Sequence, residues 1–222
     1  MLPPSLCVPG GRAAEPFHLI ADKQQAGGRS PGLLFCRRRP EGGKRMASEK
    51  APVPSVIRLA GVIRESIVDG PGIRFVVFTQ GCPHGCPGCH NPATHDPRGG
   101  YNSEIDGLVA AFQKNPMLQG LTLSGGEPFA QAHACAALAG RIHALGKDVV
   151  AFTGYTLEQL LRGATPENGW RMLLKETDIL IDGPFLLAQK TLTLPFRGSR
   201  NQRMLNVPAS LEQGKAVEIV RG

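Results

Sequence analysis

The chain has 222 residues, 41% of them hydrophobic and 19% charged, which is material for one sizeable core and hardly for two. No apolar run approaches the roughly 20 residues needed to cross a bilayer, so a helical membrane protein is excluded. The net charge of +7 invites a nucleic-acid reading, yet residues 1–45 hold eight Lys and Arg against three acids, so most of the surplus sits there. A near-neutral remainder with a basic tail is a poor phosphate-tracking surface.

Residues 1–45 are dense in Gly, Pro and Arg and lack helical or strand periodicity, which predicts a disordered extension. Pro3, Pro4 and Pro9 interrupt the start, and no continuous apolar h-region follows, so the segment does not read as a signal peptide. Cys7 and Cys36 have no partner motif. Codons for Glu41-Gly42-Gly43 can spell a purine-rich ribosome-binding site just before Met46. Met46 is therefore expected to be the true start, with one domain over residues 46–222. The lack of an export signal points to the cytoplasm, whose reducing conditions disfavour a disulfide framework.

From Ile57 onward, β-branched runs alternate with helical patterns, the mark of a mainly parallel sheet with crossover helices. Ile73 to Thr79 reads as a buried strand leading into a Cys-rich loop. A helix is expected from about Ser103, as N-cap, to about Lys114. Leu121 to Ser124 is a second strand ending at Gly125-Gly126-Glu127-Pro128, with Pro128 suited to the first turn of the next helix. In that helix Ala132, Cys135, Ala136, Ala139, Ile142 and Leu145 make an apolar stripe, so Cys135 is read as core. A strand over Asp148 to Phe152 follows. Thr156-x-x-Gln159 forms a capping box for a short helix ending near Gly163. A helix over Trp170 to Lys175 leads to a strand at Asp178 to Asp182. There are too few units for a closed eight-stranded barrel. The loops after these strands are where such folds place chemistry.

Cys82-Pro83-His84-Gly85-Cys86-Pro87-Gly88-Cys89 packs three thiols into eight residues. With an imidazole from His84, His90 or His95 they would saturate zinc as a structural site. On a cubane iron-sulfur cluster they would leave one iron open. Spacing alone leaves both readings standing. Gly125-Gly126-Glu127, one strand-helix unit later, adds a close-approach backbone and a carboxylate beside a helix start.

Together, Cys82-x-x-x-Cys86-x-x-Cys89 and a strand-end Gly-Gly-Glu resemble the radical S-adenosylmethionine superfamily. The resemblance implies a partial, open parallel (β/α) barrel, an α/β fold. It implies a [4Fe-4S] cluster on Cys82, Cys86 and Cys89, whose open iron chelates S-adenosylmethionine and whose electron releases a 5′-deoxyadenosyl radical. Gly125, Gly126 and Glu127 would bind the cosubstrate's amino group. Gly88 stands where many members carry an aromatic residue, and its backbone, with His90, is expected to face adenine. Asp69-Gly70-Pro71-Gly72-Ile73-Arg74-Phe75 and Cys89-His90-Asn91-Pro92 resemble the glycyl-radical activating enzymes. Thr153-Gly154-Tyr155, Leu180-Ile181-Asp182-Gly183 and Arg197-Gly198-Ser199-x-Asn201-Gln202 are similar to activators of anaerobic ribonucleoside-triphosphate reductase.

On that resemblance, Asp182 is a cosubstrate contact, against the alternative of a buried helix-capping aspartate. Asp69 and Arg74 engage the partner's glycine loop, against a turn residue and a salt-bridged surface arginine. Arg197 and Asn201 belong to a partner-facing loop, against an ordinary surface loop. His133 and His143 are assigned no function. The implied partners are the reductase and an electron donor such as a flavodoxin or ferredoxin, with no nucleic acid and no membrane. The alternatives are an activase of a pyruvate formate-lyase-type enzyme, another small radical enzyme, and, outside enzymes, a zinc-binding interaction module.

Overall fold

The computed structural model describes residues 54–219. The expected extension over residues 1–45, the start at Met46, and Cys7 and Cys36 lie outside the described residues. Among the described residues seven strands form one sheet: β1 (Val56–Ser66), β2 (Arg74–Thr79), β3 (Tyr101–Glu104), β4 (Gly120–Gly125), β5 (Asp148–Phe152), β6 (Ile179–Asp182) and β7 (Arg203–Asn206). Five α-helices among the same residues accompany them: α1 (Ile105–Gln113), α2 (Ala132–Ala144), α3 (Leu157–Gly163), α4 (Trp170–Lys175) and α5 (Val207–Gln213).

The strand order is β3-β1-β2-β4-β5-β6-β7, and the sheet is open. Its centre, β2-β4-β5-β6, is parallel, as expected of (β/α) units. The flanks are not: β1 runs antiparallel to both β2 and β3, and β7 antiparallel to β6. The loop between β1 and β2 is too short for the crossover that parallel pairing requires, so the chain turns back on itself.

The two faces of the sheet follow the alternation of side chains along each strand. Phe75, Val77, Leu121, Leu123, Val149, Ala151, Leu180 and Leu205 bury against Leu108, Phe112, Leu138, Ile142, Leu160 and Leu173 of the helices. Cys135 is in this core and has no exposed surface. The opposite face carries a smaller cluster of Val150, Ile181 and Met204, with Phe152 and Phe196 against it. The loop after β1 folds over that face, where the Thr122 hydroxyl donates to the Asp69 carbonyl at 2.8 Å.

Local signals account for the element ends. The Thr156 hydroxyl accepts from the Gln159 N–H while the Gln159 side chain accepts from the Thr156 N–H, the reciprocal box that starts α3. The expected N-cap Ser103 is instead a residue of β3 opposite Ile57, and α1 starts after Glu104. Pairing with β1 at the edge of the sheet outcompetes the cap. Pro128 opens a short 3₁₀ turn, Pro128–Gln131, and α2 follows at Ala132. Among the described residues no helix is long and apolar enough to cross a membrane.

Candidate metal centre

β2 and β4 lie side by side and parallel, so the loops that leave them emerge at the same end of the sheet. Two backbone bonds join those loops. The Gly126 N–H donates to the Thr79 carbonyl at 2.8 Å and the Glu127 N–H to the Gly81 carbonyl at 2.9 Å. A Cβ on Gly126 would stand 2.4 Å from the Gly81 oxygen, and one on Gly125, whose φ is +92°, 2.6 Å from the Phe78 Cα. Only glycine allows this approach.

The Cys loop closes on the following 3₁₀ turn, with Gly81 N–H bonded to the Thr94 carbonyl and Cys82 N–H to the His95 carbonyl. Cys82, Cys86 and Cys89 all line one cavity of about 750 Å³. Gly125 and Gly126 line it too, as do Thr153 and Gly154 after β5 and Gly183 after β6. The four strand-end loops picked out in the sequence therefore share one site. That volume lies in the range of small-molecule and cofactor sites.

Three thiols on one loop suit an iron-sulfur cluster. Burial pushes the Cys82 thiol up, and the nearby charges of Glu127, Cys86 and Cys89 push it further. Cationic iron held by Cys82, Cys86 and Cys89 would relieve that load. The Asn91 N–H already donates to Cys89 Sγ at 3.4 Å. Among the described residues no group of three His, Cys, Asp or Glu side chains forms a pocket for a single metal ion. Two of the histidines weighed as zinc ligands are engaged otherwise. His84 bonds Glu127, and His90 packs on Phe185 with ring centres 5.0 Å apart, while His95 Nε2 is buried without a partner among the described residues.

Glu127 is entirely buried, and its carboxylate accepts from the Phe129 N–H, the Gly154 N–H, the Thr153 hydroxyl and the His84 ring. The cavity wall beside it is made by Gly126 and His84. Gly88 has φ of +74°, and a Cβ there would touch Leu187 at 3.0 Å, while His90 lines the cavity directly.

Two of the expected site residues need correction. Arg74 does not face a partner, since it is fully buried at the amino end of β2. There its guanidinium pairs with Asp148 and donates to Thr122 and to the Leu121 carbonyl. Asp182 does not reach the cavity, although its neighbour Gly183 does. Its carboxylate, fully buried, accepts from the Leu157 N–H at the start of α3 and from Arg203. The remaining partner candidates divide. Asp69 and Arg197 line the cavity, and Arg197 Nε is buried without a partner among the described residues. Asn201 instead donates to the Pro184 carbonyl at 2.8 Å.

Several cavity residues carried no signal in the sequence. Val68 and the 191–196 loop, with Leu192 and Phe196, complete the walls, and Phe196 holds a positive φ of 59° that costs a bulky residue about 1–3 kcal/mol. Thr153 and Gly154 were legible as a strand-end loop, but not as donors to the Glu127 carboxylate.

Residues 68–205 match the model of the 4Fe-4S single cluster domain. The anaerobic ribonucleoside-triphosphate reductase-activating protein of Vibrio cholerae serotype O1 is 35% identical over 144 residues, covering 61% of this chain and 89% of that protein. The protein of the same name from Escherichia coli K12 is 34% identical, covering 61% and 90%, and that of Enterobacteria phage T4 is 34% identical, covering 62% and 86%. Among solved structures, QueE from Escherichia coli aligns with a TM-score of 0.37 at 16% identity, over 46% of this chain and 53% of that one. The family model spans more than half of the chain, its match contains all three cysteines and Gly125-Gly126-Glu127, and the relatives align over nearly their whole length. On these grounds the chain belongs to the 4Fe-4S family of anaerobic ribonucleoside-triphosphate reductase-activating proteins.

Proposed function

We propose that the chain uses a [4Fe-4S] cluster to cleave S-adenosylmethionine reductively and so generates a glycyl radical on an anaerobic ribonucleoside-triphosphate reductase. The observation that carries this reading is the shared cavity. Three thiols of one loop and a strand-end Gly-Gly face each other across about 750 Å³, in a chain of this family. The cluster supplies the electron that splits the cosubstrate into methionine and a 5′-deoxyadenosyl group able to take a glycine hydrogen.

The chain's own residues do the placing. Cys82, Cys86 and Cys89 hold the cluster, and the Gly125-Gly126 backbone lets the methionine moiety approach it. Glu127, buried behind Gly126 and His84, supplies the carboxylate for the cosubstrate's amino group, and His90 and the Gly88 backbone serve adenine. Asp69 and Arg197, at the cavity wall, receive the partner's loop, with the Arg197 guanidinium offering a donor. An electron donor of the flavodoxin or ferredoxin type completes the reaction in the cytoplasm, without nucleic acid or membrane.

Reduced, cluster-loaded protein incubated with S-adenosylmethionine and the reductase should give methionine, 5′-deoxyadenosine and a glycyl radical seen by electron paramagnetic resonance. A chain begun at Met46 should do the same. Formation of 5′-deoxyadenosine with radical appearing only on a pyruvate formate-lyase-type enzyme would transfer the assignment to that partner. Absence of both products would return the site to a binding role.

A further inference from the structure

A carboxylate offers about four lone-pair directions. On Glu127 four donors already take them: Phe129 N–H at 3.0 Å, Gly154 N–H at 2.9 Å, the Thr153 hydroxyl at 3.0 Å from each oxygen, and His84 Nε2 at 2.7 Å. The side chain is wholly buried, so no direction is left for an incoming amino group.

Three of those donors are fixed. The Phe129 N–H belongs to the turn that Glu127 itself caps. The Gly154 N–H is backbone, and the buried Thr153 hydroxyl also accepts from the Tyr155 N–H. His84 is held less firmly, as a side chain of the Cys loop that lines the cavity and of which 17% remains exposed. Among the described residues its ring makes no other hydrogen bond and otherwise rests edge-on against Tyr155, centres 4.4 Å apart.

We propose that His84 holds, on Glu127, the place taken by the amino group of S-adenosylmethionine, and that binding exchanges the imidazole N–H for an amino N–H. The exchange rests on the role given to Glu127 above. It swaps one charge-assisted donor for another at a buried acceptor, so the carboxylate is never left bare. Gly154 is what makes room. A Cβ at that position would lie 2.4 Å from His84 Cδ2 and 2.6 Å from Nε2. Its φ is not among the positive ones, so space rather than conformation demands the glycine.

The test is anaerobic calorimetric titration of the cluster-loaded full chain with S-adenosylmethionine, with cluster content followed by absorbance. His84→Ala should bind at least about fivefold more tightly, since no bond has to break before the ligand enters. Gly154→Ala should bind at least about fivefold more weakly, because its methyl group stands where the amino group goes. If His84 were instead a permanent clamp on the Cys loop, both variants would release the ring and both would weaken binding, which overturns the exchange. Unchanged affinity in His84→Ala overturns it equally. Should His84→Ala fail to hold its cluster, His84→Asn, too short to span the same gap, carries the same expectation. Glu127→Gln separates the two levels. Unaltered affinity there removes the assigned role of Glu127 and the exchange with it, whereas weakened affinity without tightening in His84→Ala removes the exchange alone.

Discussion

Arg74 keeps its positive charge where no surface is exposed, and its partner Asp148 sits half in solvent. A buried cation survives only when its donors are taken up, here by Asp148, Thr122 and the Leu121 and Pro71 carbonyls. Arg74→Ala should lower unfolding stability by about 3 kcal/mol in urea titrations, while the folded fraction still cleaves S-adenosylmethionine at the normal rate. A variant of full stability that had lost only activation of the reductase would restore the partner-facing role. His143 shows a second ion pair, bonded to Asp178 and Glu176 at 2.8 Å each. The Asp178 hydrogen bond above all, opposed by burial and reinforced by Glu176, raises its pKa from 6.5 to about 9. A raised folded-state pKa stabilises fully below the unfolded value and fades as pH climbs through the folded one. Wild type should therefore exceed His143→Gln by about 1–3 kcal/mol near pH 6, and the gap should close near pH 10. A gap independent of pH would assign the loss to packing instead.

At the scale of elements, the pairing of β2 with β4 sets the distance between the Cys loop and the Gly125-Gly126-Glu127 strand end. Gly126 is where the two touch, with backbone oxygens of Gly81 and Thr79 2.4 Å and 2.9 Å from any Cβ placed there. Backbone cannot give way as a side chain can, so Gly126→Ala should part the loops and lower both cluster occupancy and S-adenosylmethionine affinity. Gly61→Ala, with nothing within 4 Å, should alter neither and serves as the control. Full occupancy in Gly126→Ala would show that the junction is not needed. The same comparison marks what patterning reveals. β2, β4, β5 and α2 were legible because burial imposes an unbroken apolar run or a helical stripe, and α3 because its cap is written in two residues. β3 and β7 were not, since Tyr101-Asn102-Ser103-Glu104 and Arg203-Met204-Leu205-Asn206 are short, flanking and half polar, and only their partners make them strands.

At the scale of the whole molecule, the thiols and the Gly-Gly-Glu turn were legible because their chemistry is tied to residue type and spacing. The roles of Arg74 and Asp182 were not, because type alone does not say which end of a strand faces the cavity or who else claims a carboxylate. Arg203, distant in sequence from Glu158, binds it at 2.8 Å as well as Asp182, and no local pattern announces that trio. The cavity walls run from Ile63 to Gln202, so nearly the whole described chain contributes. A nascent chain emerging from the ribosome would present Cys82, Cys86 and Cys89 long before Thr153, Gly183 or Arg197 exists to enclose them. Iron delivered at that stage would meet three flexible thiols open to oxygen and to rival metals. A cluster held by these thiols would gain its enclosing walls only once the last strand is made.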